Sequence, residues 1–240
     1  MTAVILAAGL ASRLRPITDT IPKCLLRVGG TSLLGRTLAA LAVPAVDRVI
    51  IVVGYRHEQI RTFVDPLHLP FPVVFVYNPS YATTNNNHSL WLAASECAGQ
   101  QILLLDSDIL FHPGIIRRVL ASPHDNVLAF RESRTLTDEE IKVTTGEEGR
   151  VVRIGKDISP VAASGESIGI ERFSSTTATQ LFRVLSRRKD TDEFYEAAFQ
   201  ELIDGGTTIH VVPCGTLPCI EIDTPADMLA AERLWSEIDR

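Results

Sequence analysis

The sequence predicts an α/β fold: a Rossmann-like, mostly parallel central sheet with helices on both faces, followed by a small α+β addition. Three observations predict it. Over the first 130 residues, short continuous apolar runs alternate with segments of helical periodicity, the pattern of strands buried on both faces by covering helices. Polar clusters follow those runs, and a parallel sheet gathers its strand ends along one ligand-binding edge. A composition 45% apolar and 22% charged over 240 residues is ample for a sizeable core.

The elements follow in order. Val4 to Ala8 is the first strand and stops at Gly9; a small-residue loop bearing Arg13, Arg15, Pro16, Pro22 and Lys23 follows. Leu33, Leu34, Leu38 and Leu41 recur at helical spacing until Pro44. Arg48–Val53 and Val73–Tyr77 are the second and third strands, with a short helix around Ile60 and Phe63 between them. The polar run Asn78–Ser89 precedes a helix expected over Leu90–Cys97. Gln101–Leu105 is the fourth strand, ending on Asp106-Ser107-Asp108, and Pro113 opens a helix to about Leu120 before a fifth strand at Val127–Phe130. Beyond Arg131, shorter strands are expected around Ile141–Thr145, Arg150–Ile154 and Ser167–Glu171, then helices from Ser174 and Glu193, strands at Thr208–Pro213 and Cys219–Ile222, and a final helix from Thr224-Pro225. The chain reads as one domain: a core over 1–130, and 131–240 as an addition carrying the last core strand and the C-terminal helix.

A net charge of −6 gives no general attraction to nucleic acid or anionic membrane. No apolar stretch approaches the roughly 20 residues of a membrane span, and the apolar start lacks a signal peptide's basic residues, so a cytoplasmic location is expected. Cys24, Cys97, Cys214 and Cys219 form no CxxC pair and read as reduced thiols.

The loop after the first strand suits phosphate: backbone N–H groups can approach oxygens closely, and Arg13 and Lys23 add charge. A solvated βα turn reads the same way in isolation. A dinucleotide unit fails, since there is no GxGxxG and the second strand ends Val52-Val53-Gly54-Tyr55 without a carboxylate; a Walker loop is missing too. The clusters Asn85–Ser89, Asp106–Asp108 and Glu221–Asp223 all fall near predicted strand ends, so one crevice can gather them with the loop.

LAAGLASRLRP with Pro22-Lys23, TNNNHSL (84–90), LDSDIL (105–110), RVVRIGKD (150–157) and EIDTPAD (221–227) resemble, in collinear order, the nucleotidyltransferases that join an NTP to a phosphorylated acceptor. The Asn-rich segment and EIDTPAD look most like the small phosphocholine-type cytidylyltransferases, and less like the sugar-1-phosphate enzymes with their GTA triplet. One departure is Ala11, where many members carry glycine.

The resemblance implies the nucleotidyltransferase fold and Mg²⁺-dependent transfer of CMP from CTP to phosphocholine, phosphoethanolamine or 2-aminoethylphosphonate. Leu6, Ala7, Ala8, Gly9 and Leu10 would line the nucleotide, Arg13 and Lys23 would hold its β- and γ-phosphates, and Lys156 would neutralise the α-phosphate or the acceptor. Asp108 and Asp223 would bind the metal. Asp106 and Glu221 stay ambiguous, because alternate strand residues point to opposite faces. Asn85, Asn86, Asn87 and Ser89 offer amide and hydroxyl groups to a cytosine edge, beyond what one helix cap needs. Glu193, Tyr195, Glu196 and Glu221 would form the acceptor site; Phe194 reads equally as core, His88 as a neighbour and Arg15 as a surface cation. A homodimer is compatible with the resemblance. A sugar-1-phosphate or inositol-phosphate nucleotidyltransferase, and an inactive nucleotide-sensing homologue, remain alternatives.

Overall fold

The computed structural model describes residues 1–133, 135–188 and 191–238. In order, the chain forms β1 (Thr2–Ala7), β2 (Arg27–Val28), β3 (Thr31–Ser32), α1 (Leu33–Ala40), β4 (Arg48–Val53), α2 (His57–Val64), β5 (Val73–Tyr77) and α3 (Asn86–Leu92). Then come β6 (Ile102–Asp106), β7 (Ile109–Phe111), α4 (Gly114–Ala121), β8 (Val127–Arg131), β9 (Lys142–Thr145), β10 (Val151–Gly155) and β11 (Gly165–Phe173). The chain closes with α5 (Ser175–Arg187), α6 (Glu196–Asp204), β12 (His210–Pro213), β13 (Cys219–Glu221) and α7 (Pro225–Ile238).

Four parallel strands, in order β6-β1-β4-β5, form the expected core. Their continuous apolar runs are explained by burial on both sides. Ala3, Ile5, Val49, Ile51, Leu103 and Leu105 pack with Leu34, Leu38, Ile60 and Ile116 of α1, α2 and α4. The alternate residues Val4, Leu6, Ile50, Val52, Ile102 and Leu104 pack with Leu90, Leu181 and Phe199 of α3, α5 and α6. Each fully buried Ile, Leu or Val adds about 1.5–3 kcal/mol, so a strand that serves both faces has no room for polar residues until its end.

Three details differ from the sequence expectation. The fifth predicted strand, β8, does not lie beside β6: β11 inserts antiparallel between them, and β12 runs parallel to β8 on the far side. Helix α3 starts at Asn86, because the Asn85 carboxamide oxygen caps it by accepting from Asn86 N at 2.8 Å. Finally, β13 is not a central-sheet strand. It pairs antiparallel with β7, with Glu221 opposite Ile109, and Ile222 N donates to Asp108 O at 3.0 Å. That ribbon, and not a shared parallel edge, carries Asp223 to Asp108.

The pairing between β11 and β8 shifts register between Ser167 and Glu171. Gly169 lies within the shift at φ +70°, and a Cβ there would sit 2.5 Å from Asp106 Oδ2, so only glycine lets β11 approach the carboxylate at the end of β6. Helix α7 buries Ala231 and Ile238 against Leu14, Leu26, Val28 and Ile222, bracing the loop after β1 from behind. Among the described residues, no helix is long and apolar enough to cross a membrane.

Candidate active site

A cleft of about 420 Å³ opens where β1 and β6 end. Its first wall is the loop Ala8–Arg13. Fully buried Leu14 anchors this loop, and the Thr18 hydroxyl donates to Ala11 O at 2.8 Å. A Cβ at Gly9 would meet nothing within 4 Å, so the space beside it belongs to whatever enters the cleft. Ala11 holds φ 50° and ψ 47°, the left-handed conformation that glycine adopts without strain.

Lys23 crosses the cleft floor. Its Nζ lies 2.7 Å from Asp108 Oδ2 and 2.6 Å from Asp223 Oδ1. Burial by itself would lower the Lys23 pKa, but the two carboxylates outweigh it and hold it above the ordinary lysine value. Burial likewise disfavours the Asp223 charge, yet Lys23 and then Arg13 hold that carboxyl below its usual range. Arg13 Nη2 reaches Asp223 Oδ2 at 2.7 Å, and its Nη1 meets Glu139 Oε2 at 3.1 Å. Glu221 completes the group: Asp108, Glu221 and Asp223 each offer an oxygen, all within 4.8 Å of one another. Glu221 is exposed at its rim, yet partial withdrawal from water at the cleft floor, then the charges of Asp108 and Asp223, push its pKa up to about 9.

This group fits a divalent cation. Asp108 Oδ1 is buried with no hydrogen-bond partner among the described residues, and hard carboxylate oxygens are the donors that Mg²⁺ prefers.

The second wall carries a different set. Glu196, at the first turn of α6, is 3% exposed, and its Oε2 has no hydrogen-bond partner among the described residues. Burial, opposed by its own backbone N–H and reinforced by Glu221, raises its pKa to about 7. Asp106 also lines the cleft and accepts from the Tyr195 hydroxyl at 2.9 Å. Burial, then the Asp108 and Glu196 charges, raise the Asp106 pKa well above its ordinary value. Glu171 lies fully buried behind them with Oε2 unpartnered, and burial followed by the Asp106 charge raises it too. Lys156 Nζ sits 4.5 Å from the centre of the Phe194 ring and 4.0 Å from Glu139 Oε2.

Between the walls lie Asn85, Asn86 and Ser89. Fully buried Asn78 orients Ser89, donating to its hydroxyl at 3.1 Å. Asn86 Oδ1 accepts from Tyr195 N at 2.9 Å, joining α3 to the lead-in of α6.

Leu6, Ala7, Ala8, Gly9, Leu10, Arg13, Lys23, Asp106, Asp108, Lys156, Glu196, Glu221 and Asp223 all line this one cleft, as the sequence suggests. Three expected residues do not. Asn87 is on the buried side of α3, Glu193 pairs with Arg188, and Tyr195 is fully buried, supporting Asp106 without facing the cleft. Phe194, left open as core, is 39% exposed and lines the cleft instead. Asp106 is neither solvent-facing nor a loop cap. Glu139, Ser167 and Gly169 escaped the sequence reading, since they lie in segments whose pairing no local pattern reveals. Arg15 is a surface cation paired with Asp19 at 3.3 Å, and His88 lies tilted against Trp91.

Comparison with known proteins agrees with this geometry. Residues 3–189 match the family described as MobA-like NTP transferase domain. The CMP-5'-(3-aminopropyl)phosphonate synthase of Streptomyces rubellomurinus is 31% identical over 98% of this chain, which spans only 38% of that relative's length. The 2-aminoethylphosphonate cytidylyltransferase of Lancefieldella rimae is 28% identical, over 95% of this chain and 90% of the relative. In fold, the chain is similar to the CTP:phosphocholine cytidylyltransferase of Streptococcus pneumoniae, with a TM-score of 0.79, 24% identity and 98% of each chain covered. With the loop, the lysine and the carboxylate group assembled in one cleft, the chain is a nucleotidyltransferase and belongs to the MobA-like NTP transferase domain family.

Proposed function

We propose that this chain transfers CMP from CTP to a small phosphorylated or phosphonate amine, releasing pyrophosphate. The observation that carries the reading is the convergence on one cleft of a phosphate loop, a lysine between two carboxylates, an amide-rich wall and buried acids facing them. The relatives' names, a CMP-5'-(3-aminopropyl)phosphonate synthase and a 2-aminoethylphosphonate cytidylyltransferase among them, support CTP and an amine-bearing acceptor.

A phosphate monoester is largely dianionic near neutral pH, its second pKa being about 6, so the acceptor attacks without a general base. What the chain must supply is positioning and charge. Arg13 and Lys23 hold the triphosphate, with the Gly9 and Leu10 amides beside them. Lys23 leaves Asp108 and Asp223 to do so, exchanging internal carboxylates for phosphate oxygens. Lys156 steadies the acceptor phosphate or phosphonate. Asn85, Asn86 and Ser89 present hydrogen-bonding groups to the base, and Asn78 fixes the Ser89 hydroxyl. Asp108 and Asp223, with Glu221 beside them, would hold Mg²⁺, which would supply positive charge to offset that of the reacting phosphates.

Pyrophosphate release from each of the four NTPs against phosphocholine, phosphoethanolamine, 2-aminoethylphosphonate, inositol phosphate and hexose 1-phosphates tests the proposal. CTP with an amine acceptor should be fastest. A GTP or UTP preference with a hexose phosphate would overturn it.

A further inference from the structure

The buried acids of the second wall narrow the acceptor further. Glu196 is 97% inaccessible, taking its 3% exposure, and its Oε2 has no donor among the described residues. A buried carboxylate oxygen without a donor has lost its water with nothing in exchange, so the site is complete only when a ligand supplies one. A quaternary ammonium has no N–H to give. Its usual receptor is a set of open aromatic faces, and here the cleft has two rings among the described residues, one of them already facing a cation. The rings lining the cleft, among the described residues, are Tyr81 and Phe194. The Lys156 ammonium already lies 4.5 Å from the centre of the Phe194 ring. Tyr81 packs against Gly54 beside Ala8 O, on the nucleotide loop. Tyr195 is fully buried, with its hydroxyl on Asp106.

From this we infer that the acceptor is a primary amine, whose ammonium donates to the Glu196 carboxylate, and that Glu196 sets the discrimination against quaternary ammonium. The inference rests on the amine-acceptor reading above. It adds the protonated form of the nitrogen that the site takes and the side chain that selects it. A primary ammonium carries three N–H donors. One satisfies Glu196 Oε2, and the remaining two have Asp106 and Glu221 on the same cleft as further acceptors. Each methyl added to nitrogen removes a donor and adds bulk beside a side chain that is already enclosed.

The test is a methylation series with CTP: phosphoethanolamine, its N-methyl and N,N-dimethyl derivatives, phosphocholine, and ethyl phosphate as the control that lacks the amine. For the wild type, kcat/KM should fall with each methyl, by roughly tenfold or more from the primary amine to phosphocholine. In Glu196→Gln the ratio between phosphoethanolamine and phosphocholine should collapse to about threefold, while the KM for CTP stays within about twofold. A change confined to folding would lower every acceptor alike and leave the ratio standing. Phosphocholine used as well as phosphoethanolamine, or an unchanged ratio in Glu196→Gln, would overturn the inference and leave the amine reading intact. Ethyl phosphate outrunning all four amines would overturn the amine reading itself. If Glu196→Gln does not fold, as judged by circular dichroism and CTP binding, the wild-type series decides between these outcomes without it.

Discussion

On the nucleotide wall Asp108, Asp223 and Glu139 each have a cation: Lys23 bridges Asp108 and Asp223, and Arg13 joins Asp223 to Glu139. On the acceptor wall Asp106, Glu171 and Glu196 have no ion pair among the described residues; Asp106 and Glu171 accept from the neutral hydroxyls of Tyr195 and Ser167. The contrast separates two ways of preparing a site. The first wall stores its cation inside the protein and trades it for a ligand's charge. The second leaves its acids short of a partner, and a ligand cation makes up the difference. Both walls draw on the same rule, that a charge removed from water needs a counter-charge nearby.

The largest effect should come from breaking the first arrangement. Lys23→Ala removes the shared cation and the triphosphate contact together, so kcat/KM for pyrophosphate release should fall about 10³-fold. The two carboxylates it leaves behind are only 23% and 25% exposed, so unfolding by urea should show a loss of about 3 kcal/mol. Added Mg²⁺ should recover part of that loss, raising the melting temperature of the variant more than that of the wild type. An equal shift in both proteins would mean that Lys23 and the ion do not share the carboxylates.

Breaking the second arrangement shows as a pH dependence. Folding raises the Glu196 carboxyl from an ordinary 4.5 to about 7. Between those pH values the folded chain keeps a proton that the unfolded chain has released, so stability falls as pH rises through the window. The Glu196 share of that fall is about 3 kcal/mol. Glu196→Gln should flatten the slope, and the flattening is read by comparing urea midpoints at pH 5 and pH 8. Tyr195→Phe should have a smaller effect, about 1–2 kcal/mol, by taking the hydroxyl donor from Asp106. Urea midpoints that do not move with this substitution would show that the bond adds nothing to stability.

The two walls were unequally legible in the sequence. Lys23, Asp108 and Asp223 lie in compact motifs beside apolar runs, so their meeting follows once the strands are recognised. What the sequence hides is how Asp223 arrives, because a three-residue ribbon such as β7–β13 leaves no periodicity to read. The acceptor wall is harder still. Tyr195 and Glu196 are adjacent, yet one turns to the core and the other to the cleft, a choice made by where α6 begins. Glu139 and Gly169 come from segments whose position depends on pairing with distant strands. The central sheet was legible for the opposite reason: burial on both faces writes itself into every residue of a strand.

Ala11 sharpens the comparison at its smallest scale. The nucleotide wall meets its electrostatic requirements internally but carries backbone strain, since a left-handed residue with a Cβ costs roughly 1–2 kcal/mol. Glycine would relieve that strain and give back about 0.4–1 kcal/mol through the freer unfolded chain. Ala11→Gly should therefore raise the melting temperature by only about 1–3 °C. The conformation is fixed by what surrounds it: Leu14 N donates to Ala11 O at 3.1 Å and the Thr18 hydroxyl donates to the same oxygen. With those bonds kept, the loop should hold its shape, and the KM for CTP should change less than about twofold. A KM shift of tenfold would show that the methyl itself sets how closely the loop meets the triphosphate.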